Sequence, residues 1–354
     1  MVCEYRYGPK AMEYLKNMPD ITYSEWRNFV RQKFRKKNGN ELAHAGKVAY
    51  YAWRKLGRDL NLSFEEEKPV SFEFKESQFK TIKKIDEKTE ENFKKIGREI
   101  YDEAPKNVMQ FETSTKPLLM IFEESYKAPR MVIVKKKGFF SKEEVLASKI
   151  YRYLGATVFD VIDRKNMIFI EWLDGIDCET LKKLGKEKDA LNYTYYLGKA
   201  SADAHCIGLG DRLHNERVNL LILKSDVVEE FKDDVFNPVY NVDYEFAFMK
   251  AKLRKTPEED LLSVRLTFKK VGLENISEDI IKANLENLID TYVSGFSKRY
   301  REIQENYKIN KKKIDKLLSE YDQEVFQLCK MRFELNVDIL TEKLKDMLIS
   351  TFLS

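Results

Sequence analysis

The sequence has few cysteine and histidine residues, and their spacing excludes several kinds of site. Its four cysteines are widely separated, and its three histidines complete no zinc-binding spacing with them. No run approaches the ~20 apolar residues that cross a bilayer, and the first residues contain no apolar signal core. We therefore expect a protein of the reducing cytoplasm, with no structural metal and no membrane partner.

A strong charge of either sign is also missing. Lys and Arg number 63 against 59 Asp and Glu, and the formal net charge of +4 is too mild to imply nucleic acid binding by itself. Hydrophobic residues make up 43% of the chain, which is enough for a large core and argues against wholesale disorder. A length of 354 residues leaves room for two or three domains.

Residues 1–62 have the apolar periodicity of helices. Apolar side chains recur at helical spacing between 26 and 34, and a turn at 38–40 precedes a second helical pattern. Two such helices are typical of a helix-turn-helix module, whose basic residues between 27 and 37 would contact nucleic acid phosphates. An ordinary solvated helix surface explains the same residues. Residues 63–104, rich in Lys and Glu, are predicted to form a charged helical connector rather than a core.

From residue 105 the pattern changes to short apolar segments typical of strands. A helix is predicted over 141–153, because a capping sequence begins it and Gly155 follows its end. Strands are predicted on both sides of this helix and again within the mostly helical second half, at 108–111, 118–122, 131–135, 158–162, 167–171, 220–223 and 239–243.

Polar residues occur at the ends of several of these segments. The third strand ends at Lys135, and Glu144 lies in the first turn of the helix that follows. In the second half, Asp211 follows a short Gly-containing segment, Asn219 precedes an apolar strand, and Asp243 ends another strand. The order is therefore three strands ending in Lys, a helix with Glu, two strands, and then helices with a polar loop.

This order of elements resembles that of the protein-kinase-like superfamily, especially its aminoglycoside and choline phosphotransferase branch and the small atypical protein kinases. The resemblance covers roughly residues 105–300. It implies an α+β, two-lobed fold with a small antiparallel β N-lobe and hinge at 105–175 and a mostly helical C-lobe at 176–300. An N-terminal helical extension precedes these lobes, and residues 301–354 are expected to form a C-terminal helical extension.

The resemblance also implies roles for the residues of the N-lobe. Lys135 would bind the α- and β-phosphates of ATP, with Lys136 as the competing choice. Glu144 would pair with that lysine, and Glu143 is its competitor. An ordinary strand end and a helix N-terminus stabilised by carboxylates explain the same residues.

Two further N-lobe segments would contact the nucleotide. The hinge after the last N-lobe strand would hold the adenine, and the first hairpin would cover the phosphates with hydroxyl groups, because it lacks the glycines of a Gly-rich loop. The residues concerned are Glu171, Trp172 and Leu173 in the hinge and Thr113, Ser114 and Thr115 in the hairpin.

In the C-lobe, the resemblance implies that Asp211 orients the hydroxyl of the acceptor and that Asn219 and Asp243 bind Mg²⁺. Asp211 and Asn219 are eight residues apart in this sequence, whereas the family interval is five. His214 lies at the family interval and is the rival of Asp211 for the catalytic position. Downstream, Asp260 is similar to a structural aspartate of the same branch.

The function implied is an ATP- and Mg-dependent phosphotransferase, first of all an atypical protein kinase of the serine/threonine type with a protein substrate. A kinase acting on a small-molecule acceptor shares the same site. The third alternative is a catalytically silent pseudokinase that binds a protein or a nucleic acid, suggested by the lengthened catalytic loop and the missing glycines.

Overall fold

The computed structural model describes most of the second half of the chain and selected parts of the first. The described residues fall into two compact units: one holds residues 82–138 with 161–171, and the other holds residues 141–156 and everything from 175 onward. Residues are described at 14, 82–101, 104–112, 116–122, 131–138, 141–156, 161–171, 175–177, 183–209, 220–223, 239–241, 247–248 and 256–353. The predicted helices of residues 1–62 lie outside this set, except for Tyr14.

The first unit is built on a six-stranded antiparallel sheet. Along the chain, helix α1 (Glu87–Tyr101) follows the first strand, and the spatial order of the strands is β1-β2-β3-β4-β6-β5. The strands are β1 (Ile82–Lys84), β2 (Asn107–Phe111), β3 (Leu118–Ile121), β4 (Met131–Lys136), β5 (Val161–Arg164) and β6 (Met167–Glu171).

Strand β4 lies inside this sheet, between β3 and β6. Ile133 of β4 pairs with Leu119 of β3, and Lys135 pairs with Ile168 of β6. The continuous apolar and β-branched sequence of β4 suits this inner position, because both faces of an inner strand pack against other side chains. Its last residues are polar, since they reach the edge of the buried region.

The two faces of the sheet carry separate apolar clusters, because successive side chains of a strand point to opposite faces. On one face, α1 packs through Phe93 against strand residues. The buried members of this first face are Phe93, Val108, Met120, Phe122, Val132, Val134 and Phe169. The second face holds Met109, Leu119, Ile121 and Met131, with Ile133 and Phe111 packed beside them.

The predicted charged connector contributes to this core. Its residues 82–84 form β1, which pairs with β2, and the helix α1 that follows buries Phe93 in the core of the sheet. Ile96 and Ile100 pack beside Phe93 at helical spacing. A few apolar residues on one side of a Lys- and Glu-rich helix are enough to cover a sheet face. The high charge of this segment therefore gave no indication that its helix packs against the sheet.

The second unit is mostly helical. It also contains a three-stranded antiparallel sheet, formed by β7 (Gly175–Asp177), β8 (Leu220–Leu223) and β9 (Val239–Asn241). Its helices are α2 (Ser141–Tyr153), α3 (Glu187–Ile207), α4 (Leu261–Thr267), α5 (Glu278–Tyr321), α6 (Gln323–Phe333) and α7 (Val337–Phe352), with short 3₁₀ and π turns around α4 at Glu258–Asp260, Phe268–Gly272 and Leu273–Asn275.

Helices α3 and α5 form the centre of this unit. They approach backbone to backbone at two glycines: a Cβ on Gly198 would lie 2.1 Å from the carbonyl oxygen of Tyr292, and one on Gly295 would lie 2.1 Å from that of Tyr195. Helix α5 is 44 residues long and kinked at Asn284. The predicted boundary at residue 300 falls inside it, because the apolar period continues through this point.

The α+β class predicted from the sequence is confirmed: a small antiparallel sheet is followed by a mostly helical remainder. Within the residues that the structure describes, no helix has both the length and the apolar character to cross a membrane.

Candidate nucleotide site and catalytic-loop region

Lys135 and Lys136 end strand β4 and Lys137 follows directly after it, and the structure gives these three lysines different surroundings. Lys135 lies on the second face of the sheet, in line with Met131 and Ile133, and it is half-buried. Lys136 is exposed at the end of the strand, on the face that α1 covers. Lys137 forms an ion pair with Asp163 of β5.

The pairing partner of Lys135 defines what surrounds the stem of this side chain. Ile168 lies directly opposite on β6 and is fully buried, so the methylenes of Lys135 extend over an apolar surface. A lysine in such a place keeps its ammonium group at the edge of the apolar surface. This arrangement favours Lys135 over Lys136 as the phosphate-binding candidate, as alternation along the strand predicts.

Helix α2 carries both glutamates that compete for the pairing role. Glu144 is 1% exposed, whereas Glu143 is half-buried and accepts a hydrogen bond from the hydroxyl of Tyr321 at the end of α5. Burial, and then this hydrogen bond, raise the pKa of Tyr321, so its hydroxyl is a donor at neutral pH. Tyr321 therefore engages Glu143, and the choice of Glu144 as the pairing glutamate stays a prediction. Lys135 belongs to the first unit and Glu144 to the second.

Helix α3 ends where the predicted catalytic loop begins. Gly208 adopts a left-handed conformation (φ 63°), which glycine tolerates without strain, and its N–H donates to the carbonyls of the last turn. Leu209 donates to Ala204 O at 3.0 Å and closes the helix end. The backbone is thus fixed up to two residues before the predicted catalytic Asp211.

A buried histidine anchors this helix end. His205 Nε2 lies 2.8 Å from Pro257 O, and Nδ1 lies 2.9 Å from the Tyr300 hydroxyl. A carbonyl oxygen can only accept, so Nε2 donates to Pro257, and in the neutral imidazole Nδ1 accepts from Tyr300. Burial raises the pKa of Tyr300 well above its ordinary value, which keeps this hydroxyl protonated.

Asp260 and Arg332 form the second anchor of the same region. Both are buried, and Arg332 Nη2 lies 3.6 Å from Asp260 Oδ2. Arg332 Nε also donates to His205 O at 3.2 Å, and the Ser263 hydroxyl donates to Asp260 Oδ1 at 3.1 Å. Asp260 therefore has the surroundings of a structural aspartate. Since Arg332 belongs to α6, a C-terminal helix contacts the last turn of α3.

His205 and Arg332 were not among the residues that the sequence patterns indicated. The available signal for His205 was an imidazole within an Ala-rich helix turn, directly before the Gly-containing segment. There was little signal for Arg332 in the sequence, because a single arginine between apolar residues of an amphipathic helix is common on protein surfaces. Only the packing of α6 against α3 shows that its guanidinium is buried.

Most of the predicted site residues lie outside the described part of the chain. Glu171 ends strand β6, although the position of its side chain is not described. Among the described residues, no three His, Cys, Asp or Glu side chains lie together as metal ligands. Those outside the described residues are Thr113, Ser114, Thr115, Trp172, Leu173, Asp211, His214, Asn219 and Asp243, and their roles stay predictions.

No protein-family model matches the sequence. A search of curated proteins finds no match either. Among solved structures, the chain is similar to the Helicobacter pylori proinflammatory kinase CtkA, with a TM-score of 0.36 and 11% identity over 65% of this chain and 94% of that chain. It is also similar to a chain of the Shewanella oneidensis MR-1 toxin–antitoxin complex of HipA, HipB and operator DNA, with a TM-score of 0.28 and 14% identity over 83% of this chain and 80% of that one.

Proposed function

We propose that this chain is an ATP- and Mg-dependent phosphotransferase that transfers the γ-phosphate to a hydroxyl group, as a serine/threonine-type protein kinase. One observation carries the proposal. The inner strand β4 carries a half-buried lysine, directly before its last residue, on the sheet face opposite α1, and the next helix holds a buried glutamate in its first turn. These are the two groups that such enzymes use to hold the ATP phosphates.

The candidate residues have side chains whose chemistry suits the proposed cofactors. Asn219 and Asp243 supply amide and carboxylate oxygens, which are the ligands that Mg²⁺ prefers. The metal would neutralise charge on the phosphates, while Asp211 would orient the acceptor hydroxyl. The buried anchors at His205 and Arg332 support this assignment, because they hold the helix end from which the Asp211 loop starts.

The test is transfer from γ-labelled ATP to a protein acceptor in the presence of Mg²⁺. We expect label on the acceptor or on the protein itself, and loss of that label in Asp211→Ala. Label transferred only to a small acceptor such as choline or an aminoglycoside would identify the small-molecule variant of the same chemistry. A folded protein that neither binds nor consumes ATP would contradict the proposal and favour a pseudokinase that binds a macromolecule.

Replacing Lys135 by Met should weaken ATP binding strongly, because it removes an ammonium group that contacts the phosphates. A hydrogen bond to a charged group contributes about 1.5–3 kcal/mol, which corresponds to a loss of roughly 10- to 100-fold in ATP affinity. Titration calorimetry with ATP and Mg²⁺ measures this change.

Lys136→Met is the matched control for Lys135→Met. It removes the same group one residue further on, where the side chain is exposed on the other face, and it should leave ATP affinity unchanged. Equal losses in the two variants would reflect general electrostatic attraction, and a larger loss in Lys136→Met would show that the assignment of Lys135 is wrong.

A further inference from the structure

Three side chains of α5 bind the C-terminal end of α2, the helix that carries Glu144. Arg299 Nη2 donates to Leu154 O at 3.0 Å, and Asn306 Nδ2 donates to the same oxygen at 2.9 Å. Asn310 Nδ2 donates to Tyr153 O at 3.0 Å. The last carbonyls of a helix have no partner within the helix itself. Here a neighbouring helix satisfies two of them.

Two of these three donors, Arg299 and Asn306, are built into the core. Arg299 is 3% exposed and Asn306 is fully buried. Their spacing along α5, with Asn310 one turn further, places all three on one face of the helix. Among the described residues, Asn306 Oδ1 has no hydrogen-bond partner. Burying an amide oxygen in this way is costly, so the position is explained by the bond that Nδ2 makes to α2.

Helix α3 joins the same contact. Arg299 Nε forms an ion pair with Asp203 Oδ1 at 2.8 Å, and the Tyr151 hydroxyl of α2 donates to Asp203 O at 2.7 Å. A buried ion pair adds little net stability, and its geometric demands favour a single arrangement of the groups around it. The end of α2 is therefore connected to both central helices of this unit.

The other end of α2 is bound as well. Tyr321, the last residue of α5, donates its hydroxyl to Glu143 in the first turn of α2. The ring of Tyr321 lies 5.9 Å from that of the buried Phe248. The contacts at Asn310 and Tyr321 are separated by about 16 Å along α5 at 1.5 Å per residue, which is close to the length of α2 between Glu143 and Tyr153.

We propose that α5 holds α2 at both ends and thereby fixes Glu144, with Asn306 and Tyr321 as positioning residues. The proposal rests on the proposed function, since it assigns Glu144 to the phosphate-binding lysine. Its consequence concerns regulation. Helix α2 is a fixed part of the second unit, so the site is not switched on and off by a rotation of this helix.

The test uses Asn306→Leu, which removes the donor and keeps the size of the side chain. Leu154 O still accepts from Arg299, so the protein should stay folded. We expect the amides of residues 141–153 to exchange about tenfold faster or more, because a local opening of α2 costs less free energy. Glu305→Gln, a change at the exposed neighbour on the same helix, should leave exchange and activity unchanged.

Kinetic measurements of Asn306→Leu in the wild-type and the Glu144→Gln proteins distinguish a role of Asn306 in positioning Glu144 from a general destabilisation of the protein. If Asn306 acts through Glu144, Asn306→Leu should lower kcat/KM for ATP about tenfold, as expected for a misplaced group. In the Glu144→Gln background the same change should cost less than about twofold, because coupled residues are not additive. Equal losses in both backgrounds, or unchanged exchange of α2, would overturn the proposal.

The two readouts also distinguish this proposal from the proposed function. A wild-type protein without ATP binding or transfer would contradict the function. The exchange rates of residues 141–153 in Asn306→Leu and Tyr321→Phe would still decide whether α5 holds the helix, because they require no activity.

Discussion

Asp243→Asn should abolish phosphoryl transfer and leave the protein folded. The substitution keeps the size of the side chain and replaces a charged carboxylate ligand by a neutral amide. Mutating a residue that merely hydrogen-bonds to a metal ligand already lowers metal affinity or activity by up to about 100-fold. Removing the charge of the ligand itself should therefore lower activity by at least about 100-fold. The measurement is the initial rate of transfer from γ-labelled ATP, with the unfolding midpoint recorded beside it.

The dependence of activity on Mg²⁺ concentration tests whether Asp243 acts as a metal ligand. An amide oxygen still binds Mg²⁺, although weakly, so part of the activity should return as the Mg²⁺ concentration is raised. Asp290→Asn is the control, because this exposed carboxylate pairs with Lys345 on the surface and its replacement should change nothing. Full turnover of Asp243→Asn at ordinary Mg²⁺ concentration would show that Asp243 is not a metal ligand.

Gly198→Ala should destabilise the helical unit strongly. The added Cβ would lie 2.1 Å from Tyr292 O and 3.0 Å from Phe296 N, which are both backbone atoms of α5. No side-chain rotation relieves such a contact, so the two central helices must move apart. Overpacking of this kind typically costs 1–3 kcal/mol, and we expect a loss of about 3 kcal/mol in the free energy of unfolding. Chemical denaturation measures it.

Gly185→Ala is the matched control for Gly198→Ala, since nothing lies within 4 Å of its added Cβ. It should change the free energy of unfolding by less than about 0.5 kcal/mol. Gly295→Ala tests the contact from the other helix, where the added Cβ meets Tyr195 O at 2.1 Å, and it should resemble Gly198→Ala. A Gly198→Ala protein as stable as Gly185→Ala would show that the helices do not cross at this distance.

Local patterns were enough to predict strands β2 to β6 of the six-stranded sheet, whereas β1 was missed. Strand β4 and helix α2 begin where the sequence predicts them, because a β-branched run and a capping sequence are strong local signals. The strand predicted over 158–162 instead continues to Arg164. A tight turn at Lys165, with φ 35°, sets its pairing with β6, and this turn chemistry was not evident from composition.

The candidate site was predictable only in part. Lys135 and Glu144 could be chosen because alternation along a strand and position in a helix turn are periodic properties. The hydrogen bond that Glu143 accepts from Tyr321 needed the structure, since Tyr321 lies 178 residues away in sequence. No local pattern reports a contact at that separation.

Local sequence patterns predicted most of the strands and helices and the order in which the polar residues follow them, because these properties depend on neighbours a few residues apart. The tertiary structure alone decided that the charged segment before residue 105 completes the sheet, and that α5 and α6 hold the ends of α2 and α3. Burial is the physical reason. A polar side chain such as Asn306 or Arg332 becomes a structural anchor only when distant helices remove it from water.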